Sequence, residues 1–469
     1  MGVLDGFTVV MDATAAAVRD WAEEEFGHAE LGDRRRVDRV VRLASRIAMA
    51  PAGTVTAVVS TSAEREGAFR LLSNPRVSAA ALADATHRAA VRRAKEYPWV
   101  YVAVDGSSLS LTDRVGGREV GCIGAWKDRA WGLLVVSALA VSPDGTPLGI
   151  CGQQWWARTQ RSTRKDSRYP MQGELRYSLE LFEQVHARFA EEAPEVVPWY
   201  QFDRGFDAWA ILQLAHRLNA RITVRATFNR QCREHRRAPR EWLFDAAQRA
   251  PLLGSYELEI PAKGAEPARI GRIEVRACRV TLELRVARKR REYVPMNLVY
   301  AKEVRDKQPL QWLLLTTAPV ESFADALAVI DGYTARWRIE EFHRAWKRGV
   351  CNVEDTQLRS RQAIIKWATL HAAVAARAIR LAYLARERPD ESASVEFTQW
   401  EIDAVIALLR PKGAKRGEVP SLGQMVRWIA DLGGYVGKSS GGPPGPTVIA
   451  RGLSKVEVAA LALRNFAKM

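Results

Sequence analysis

The amino-acid sequence predicts an α/β core interrupted by a β-rich insertion and flanked at both ends by helical segments. Three observations support this fold class. Strand and helix patterns alternate between about residues 99 and 227. Arginine-rich strand patterns follow from residue 229 to about 300, and helical patterns dominate residues 12–50 and the chain beyond about 385. With 469 residues, the chain is long enough for two or three domains and a large hydrophobic core.

The composition narrows the class of protein. Hydrophobic residues make up 47% of the chain, which is typical of a globular protein. Lys and Arg number 70 against 54 Asp and Glu, and the formal net charge of +16 favours a polyanionic partner. Charge alone does not separate DNA, RNA and an anionic membrane. No run of 18 apolar residues and no amino-terminal signal pattern is visible, so we expect a cytoplasmic protein without a membrane span.

The cysteines suggest a reducing compartment. The chain has five of them, without a CxxC pair or regular spacing, so we expect reduced packing residues. They are Cys122, Cys151, Cys232, Cys278 and Cys351.

The amino-terminal region predicts two helical units. The segment WAEEEFGHAELGDRRRVDRVVRLASRIA indicates helices separated by a Gly-Asp turn, and TSAEREGAFRLLSNPRVS indicates a second unit. Arg34, Arg35 and Arg36 open one of these helices. They are either a solvated helix end or contacts to phosphates.

Two aspartates follow predicted strands of the core. WVYVAVDGSSLSL predicts a strand that stops at Asp105 and continues as a loop. VVPWYQFDRGFDAWAILQLAHRL predicts a strand that ends at Asp203, then a helix, and ARITVRAT predicts the next strand. Between them, WGLLVVSALAVSPDGTPLGICGQQWW predicts a hairpin with a Pro-Asp-Gly turn.

The segment YTARWRIEEFHRAWKRG, residues 333–349, predicts one continuous amphipathic helix. At about 100° per residue, four polar side chains fall within an arc of roughly 60°. They are Tyr333, Arg336, Glu340 and Lys347. The apolar face consists of Ala335, Ile339, Phe342 and Trp346. Glu340 is either an ion-pair partner on a solvated face or a functional acid, whereas Glu341 lies off the stripe and is expected to be structural.

Asp105, Asp203 and Glu340 together form a set of oxygen ligands without histidine. Such a set suits Mg²⁺, with Mn²⁺ as a possible substitute. Two metals about 4 Å apart can activate a nucleophile and stabilise the leaving oxygen in phosphoryl transfer. Arg336 and Lys347 lie about one and two helical turns from Glu340, a span that matches successive DNA phosphates.

The spacing Tyr-x2-Arg-x3-Glu-x6-Lys, filled by Tyr333, Arg336, Glu340 and Lys347, resembles the signature of the insertion-sequence-four group of bacterial DDE transposases. The ordered segments LGDRRR, EGAFRLLSNPRVSA, VDGSSLS, WLLLTTAPVES and RWIADLGGYVG extend the resemblance over nearly the whole chain. It implies an RNase H-like catalytic core, with Asp105, Asp203 and Glu340 as the metal-binding triad.

The resemblance also implies DNA contacts and a reaction. Tyr333, Arg336 and Lys347 would contact a distorted phosphate near a flipped base, Trp312 would stack on that base, and Arg225 would contact DNA. At the position of Thr227 a similar member of the family carries a lysine, so the resemblance implies fewer cations on that strand and a weaker or differently distributed hold on the DNA end. The implied reaction is cut-and-paste transposition through a DNA hairpin, carried out on two ends by a homodimer.

The resulting domain prediction has three parts. Residues 1–80 would form a helical DNA-end-binding domain, residues 81–384 the catalytic domain with a β-rich insertion at about 229–305, and residues 385–469 a helical dimerisation domain. After SSGGPPGP, the tail carries an apolar stripe that we expect to be covered by a partner chain. The stripe consists of Leu453, Val456, Ala460 and Leu463.

Three other functions fit parts of the pattern. Glu340 and His343 have the spacing of half a di-iron site, but a second such motif is missing from the sequence. A glycosidase with paired carboxylates leaves the cationic stripe unexplained. A catalytically inactive, transposase-derived repressor fits the charge as well as the enzyme does, although all three acids are present.

Overall fold

The computed structural model describes residues 17–59, 61–113, 117–158, 173–260, 262, 267–286, 290–305, 308–437 and 442–466. They form a mixed α/β protein, which confirms the predicted class. The chain divides into two compact units. The first comprises Met1–Glu96, Gly106–Ser162 and Arg338–Met469, and the second comprises Tyr97–Asp105 and Thr163–Trp337.

The α-helices carry labels in chain order. They are α1 (Ala17–Phe26), α2 (Arg34–Met49), α3 (Val55–Val58), α4 (Ser62–Ser73), α5 (Ala79–Arg93), α6 (Leu175–Glu192), α7 (Trp209–Arg217), α8 (Leu243–Arg249), α9 (Phe323–Ala335), α10 (Arg338–Arg344), α11 (Arg361–Glu387), α12 (Gln399–Leu409), α13 (Leu422–Leu432) and α14 (Pro446–Phe466). A π-helical turn, Ala345–Gly349, follows α10.

The strands are labelled in the same way. They are β1 (Trp99–Ser110), β2 (Gly121–Cys122), β3 (Trp131–Val141), β4 (Pro147–Trp156), β5 (Val197–Phe202), β6 (Arg221–Arg225), β7 (Gln231–Cys232), β8 (Glu241–Trp242), β9 (Leu252–Ile260), β10 (Arg269–Arg285), β11 (Arg291–Glu303) and β12 (Gln311–Thr316).

The second unit is built on a mixed sheet. The first half of β1 pairs in parallel with β5, and β5 pairs in parallel with β6. The next strands, β12, β11, β10 and β9, are antiparallel to their neighbours. The insertion is β-rich as predicted, but β10 and β11 are long strands of 17 and 13 residues rather than short ones. Buried and more exposed positions alternate along much of β10: its arginines are all at least partly exposed, and its apolar residues are mostly buried, although Ile270 is 67% exposed.

The first unit joins a hairpin to helices. Strands β3 and β4 are antiparallel, as predicted, and Gly145 in their turn adopts φ +89°, a conformation that favours glycine. Helix α11 is 27 residues long and buried along most of its length, which is typical of a central core helix.

Strand β1 does not stop at Asp105 but continues to Ser110. In the first unit, β1 neighbours β3, and the Leu111 amide donates to the Trp131 carbonyl at 2.9 Å. Gly132 allows this approach, since a Cβ there would lie 1.8 Å from the Leu109 carbonyl oxygen. Pairing with β3 therefore extends a Gly-Ser-Ser stretch whose composition predicted a loop.

The prediction of one helix over residues 333–349 is also wrong. Helix α9 ends at Ala335 with a tightened turn, in which the Trp337 amide donates to the Thr334 carbonyl at 3.0 Å. Past α10, the Val350 amide donates to the Ala345 carbonyl at 2.7 Å, a five-residue step. A constant 100° rotation per residue therefore fails on both sides of Glu340. The predicted apolar face is nonetheless buried, and Ile339, Phe342 and Trp346 are each 0% exposed.

The prediction that a partner chain covers the apolar stripe of the tail is wrong, because the same chain covers it. Leu453, Val456 and Ala460 are buried in one hydrophobic cluster with residues of α11, α12 and α13, and Leu463 packs against that cluster. Helices α13 and α14 can approach each other closely because a glycine of one faces the backbone of the other. A Cβ at Gly452 would lie 1.7 Å from the Ile429 carbonyl oxygen.

Two smaller predictions concern cysteines and membranes. All five cysteines are free thiols, and four of them are buried, as expected of packing residues. Among the described residues, no helix combines the length and the apolarity needed to cross a bilayer.

Candidate functional site

Strand register aligns three of the predicted site residues in the second unit. Val104 of β1 faces Phe202 of β5, and Phe202 faces Val224 of β6. The residues that come next in these three parallel strands are Asp105, Asp203 and Arg225. Since neighbouring strands lie about 4.8 Å apart, two carboxylates and a guanidinium follow one another across the sheet, just past the residues where the parallel pairing of β1 with β5 ends. The carboxyl ends of parallel strands are the usual ligand-binding edge of such sheets.

Asp203 leaves β5 directly into a 3₁₀ turn, Arg204–Phe206. One carboxylate oxygen caps this turn by accepting from the Gly205 amide at 2.8 Å. The side chain is only partly buried, so its other oxygen remains available to a ligand. The local capping bond therefore orients the carboxylate before any ligand binds.

A buried ion pair fixes the chain that follows β6. The side chain of Asp207 is 0% exposed, and its Oδ1 lies 2.6 Å from Arg230 Nη1. Its Oδ2 accepts from the amides of Thr227 and Phe228, at 2.6 and 3.0 Å. The segment after Arg225 is thus held by one carboxylate. Neither Asp207 nor Arg230 was predicted as a site residue, because a single Asp and a distant Arg form no sequence pattern.

Arg336 lies against the first aspartate. Its Nη1 is 3.7 Å from Asp105 Oδ2, and the two side chains are only 11% and 21% exposed. The guanidinium also lies 5.9 Å from the ring centre of Tyr333, which is buried. Arg336 therefore does not lie on a solvated helix face. The second unit brings Tyr333 and Arg336 together with Asp105, as the predicted site requires.

Trp312 and Arg225 lie on adjacent strands. Trp312 is the second residue of β12 and is half-buried, which distinguishes it from a fully enclosed core tryptophan. The Arg225 guanidinium donates to the Gln311 carbonyl at 3.2 Å. Arg225 also lines a cavity of about 290 Å³ together with Phe244, Tyr300 and Leu313.

Glu340 and Lys347 belong to the first unit. Glu340 lies on α10 and is half-buried. Lys347 lies in the π-helical turn, where its Nζ is 3.5 Å from Ser107 Oγ and 3.7 Å from Glu354 Oε1. Glu354 also accepts from the Ser110 amide at 2.8 Å, so it connects this turn to the end of β1. Glu354 was not predicted, since its role depends on a bond to strand residues far away in sequence.

Asp105 and Asp203 offer oxygen atoms, the ligand type that Mg²⁺ and Mn²⁺ prefer. Both side chains are partly exposed, and the two residues follow paired positions of adjacent strands, an arrangement that fits such a cation. In the part of the chain that the structure describes, no three or more His, Cys, Asp or Glu side chains are grouped as a ready-made metal site.

A second candidate surface lies in the amino-terminal helices. Asp33, in the predicted Gly-Asp turn, caps α2 by accepting from the Arg35 amide at 2.9 Å. Four arginines recur along one side of α2 within an arc of about 60°. They are Arg35, Arg39, Arg42 and Arg46. Arg46 is engaged by Glu64 at 2.8 Å, whereas among the described residues Arg39 and Arg42 have no acidic partner within 4 Å.

Three of these arginines, Arg39, Arg42 and Arg46, border a cavity of about 300 Å³ between α2 and α4. Its walls include Arg39, Arg42, Leu43, Gly67 and Leu71. A basic, open groove between two helices is suited to a phosphate backbone.

Comparison with known proteins gives a match over the segment that contains this surface. Residues 18–77 match the family model described as transposase DNA-binding. The matched segment contains α2, α3 and α4 and most of α1. The match supports a transposase that binds DNA.

Proposed function

We propose that the protein is a Mg²⁺-dependent DDE transposase of the insertion-sequence-four group that performs cut-and-paste transposition. The observation that supports the proposal most is that Asp105 and Asp203 follow paired residues of the parallel strands β1 and β5. The 3.7 Å contact between Arg336 and Asp105 adds a cation beside the first acid. The transposase DNA-binding match at residues 18–77 supports it from another part of the chain. The ordered sequence segments, which also resemble the transposon-five transposase, support an RNase H-like core.

In this proposal, Asp105, Asp203 and Glu340 hold the metal, and Mn²⁺ can replace Mg²⁺. A bound divalent cation lowers the pKa of water and stabilises charge on the phosphoryl oxygens. Arg336, Arg225 and Lys347 bind backbone phosphates and hold the scissile strand against the acids. Arg336 is already in place, because its ion pair with Asp105 keeps the guanidinium beside the acid.

The hairpin step requires a sharply bent strand and an unstacked base. Unstacking costs a few kcal/mol, and stacking on an aromatic face returns about 1–3 kcal/mol. Trp312, half-buried at the start of β12, is the proposed platform. Two chains and two transposon ends form the synapse as a homodimer, which the resemblance supports. The burial of the tail within its own chain removes one argument for that dimer.

A catalytically inactive repressor is the second candidate. It shares the amino-terminal DNA-binding match but makes no use of the aligned aspartates. Cleavage separates the two functions, whereas DNA binding does not.

The test uses a supercoiled plasmid carrying the DNA that flanks the gene, with Mg²⁺ or Mn²⁺. Asp105→Ala, Asp203→Ala and Glu340→Ala should each reduce cleavage to below a few per cent of the wild-type level, because each removes a proposed metal ligand. Gel-shift affinity for the same DNA should stay within about twofold. Glu183→Ala removes an exposed acid and is the matched control. Cleavage by any triad variant at the wild-type level would refute the triad, and the absence of cleavage by wild type would favour the repressor.

A further inference from the structure

Tyr383 of α11 makes the contacts that hold the helix bearing Glu340. Its hydroxyl donates to Glu341 Oε2 at 2.6 Å. Its ring lies 4.0 Å from the Arg338 guanidinium carbon and 5.1 Å from that of Arg386. One tyrosine therefore contacts the residues on both sides of the Ile339–Glu340 pair. A hydrogen bond to an ionised carboxylate is stronger than a neutral one, and an arginine over an aromatic face adds a cation–π contact.

Arg338 is itself anchored to the β3–β4 turn. Its Nε donates to the Gly145 carbonyl at 3.1 Å. The turn is tied to the end of α11, because Asp144 Oδ2 accepts from Arg388 Nε and Nη2 at 3.1 and 3.0 Å. A Cβ at Gly145 would approach Arg338 Nη2 to 3.2 Å, so the absence of a side chain there allows the guanidinium to lie on the turn.

Helix α10 needs these side-chain contacts because its own backbone hydrogen bonds are too few to stabilise its orientation. It has seven residues, begins after the tightened turn at the end of α9, and continues into a π-helical turn. A helix of two turns is marginal by itself. Burial of Ile339 and Phe342 holds the helix against the core, but apolar contacts are not directional. The bonds of Arg338 and Glu341 fix its rotation about the helix axis, which determines where Glu340 points.

We propose that Tyr383 is a positioning residue for Glu340, acting through Glu341 and Arg338. The inference rests on the proposed function, since it assumes that Glu340 binds a divalent cation. It assigns a role to Glu341, the acid that stands beside the proposed ligand. It predicts that removing one hydroxyl on α11 weakens metal binding without a direct contact to the metal.

The test measures Mn²⁺ binding to the full-length protein by calorimetric titration with MnCl₂. Tyr383→Phe, which keeps the ring and loses the hydrogen bond, should raise the dissociation constant about three- to tenfold. Glu341→Ala should have the same effect, and the double variant should be no weaker than either single variant, because both remove one bond. Glu341→Gln keeps an acceptor oxygen and should restore most of the affinity.

Tyr435→Phe is the matched control. Like Tyr383, Tyr435 donates a hydrogen bond from its hydroxyl, in this case to the Gly442 carbonyl, and its ring lies beside an arginine, with the Arg427 guanidinium carbon 4.6 Å from the ring centre. This variant should leave Mn²⁺ binding unchanged. Urea unfolding and DNA gel shifts of all variants establish that they are folded.

The outcomes separate the inference from the proposed function. If Glu340→Gln leaves Mn²⁺ binding unchanged, Glu340 is not a ligand and the proposed triad fails. If Glu340→Gln weakens binding while Tyr383→Phe does not, the triad stands and the positioning role is wrong. Equal weakening by Tyr383→Phe and Tyr435→Phe, or unfolding of Tyr383→Phe, would also overturn the positioning role.

Discussion

The two units position their acids by different means. In the second unit, backbone pairing in parallel strands sets Asp105 and Asp203, so their spacing does not depend on other side chains. In the first unit, Glu340 lies on a short helix whose orientation depends on the side chains of Arg338, Glu341 and Tyr383. We therefore expect the pair of aspartates to tolerate changes in neighbouring side chains and Glu340 to be sensitive to them.

The largest expected effect tests whether the stability of the second unit depends on a buried side-chain ion pair. Asp207→Ala leaves Arg230 buried without its carboxylate and removes the acceptor of two amides. We expect the free energy of unfolding to fall by about 3–5 kcal/mol. Glu183→Ala breaks an exposed pair with Arg217 in the same unit and should cost less than about 1 kcal/mol. Urea denaturation measures the free energy of unfolding of both variants. Equal decreases would show that the buried ion pair stabilises the protein no more than the exposed one.

The next effect depends on pH and concerns the first unit. Burial lowers the pKa of His371 to about 4, although its ring nitrogens contact the carbonyls of Trp367 and Ala52. Because the unfolded chain protonates near its ordinary pKa of 6.5, stability is full above that pH and is lost as pH falls towards 4. The loss reaches about 3 kcal/mol. His371→Gln should flatten this slope in acid unfolding curves, whereas replacing the exposed His216 by Gln should not.

A smaller effect tests how tightly α9 packs on the strands. A Cβ at Gly332 would lie 2.5 Å from Tyr101 Cε1 and 2.9 Å from Gln201 Nε2. Gly332→Ala should therefore cost about 1–3 kcal/mol by overpacking. Gly67→Ala is the matched control, because no atom lies within 4 Å of the added methyl, and a helical alanine should stabilise by about 0.5–1 kcal/mol. Thermal unfolding should show opposite signs for the two changes; the same sign would contradict this packing.

The smallest effect concerns the arginines of α2. Arg39→Ala or Arg42→Ala should each weaken DNA binding about threefold and reduce the salt slope by about one, because each removes one phosphate contact. Gel shifts at several salt concentrations measure this change, with Arg217→Ala, at an exposed arginine that ends α7 in the second unit, as the control. An unchanged slope for both variants would place the DNA elsewhere.

The sequence was most informative where patterns are local. The strands ending near Asp203 and Arg225, the hairpin with its Pro-Asp-Gly turn, and the Gly-Asp turn before α2 follow from short-range chemistry, and the structure confirms them. Hydrophobic periodicity also identified the buried face of the segment with Ile339 and Trp346.

The failures have two physical causes, of which the first is pairing with distant residues. The extension of β1 depends on β3, and the burial of the tail depends on α12 and α13. The helix breaks around Glu340 come from backbone hydrogen bonds that span three and five residues, and a prediction that assumes a constant helical period does not detect them. Glu354 and Asp207 were not predicted because their partners are far away in sequence, at separations of 244 and about 20 residues.

The division of the chain into units also sets an order of folding during synthesis. The second unit consists of two segments, whereas the first is assembled from three, and its last segment, Arg338–Met469, follows the long second segment of the other unit, Thr163–Trp337. Helix α11 supports the DNA-binding segment, because Lys366 donates to the carbonyls of Leu72 and Asn74 and Trp367 donates to that of Gly53. The ribosome makes those carbonyls about 300 residues before their donors. A nascent chain therefore acquires a supported DNA-binding surface only late in translation, and contacts of such long sequence separation form slowly.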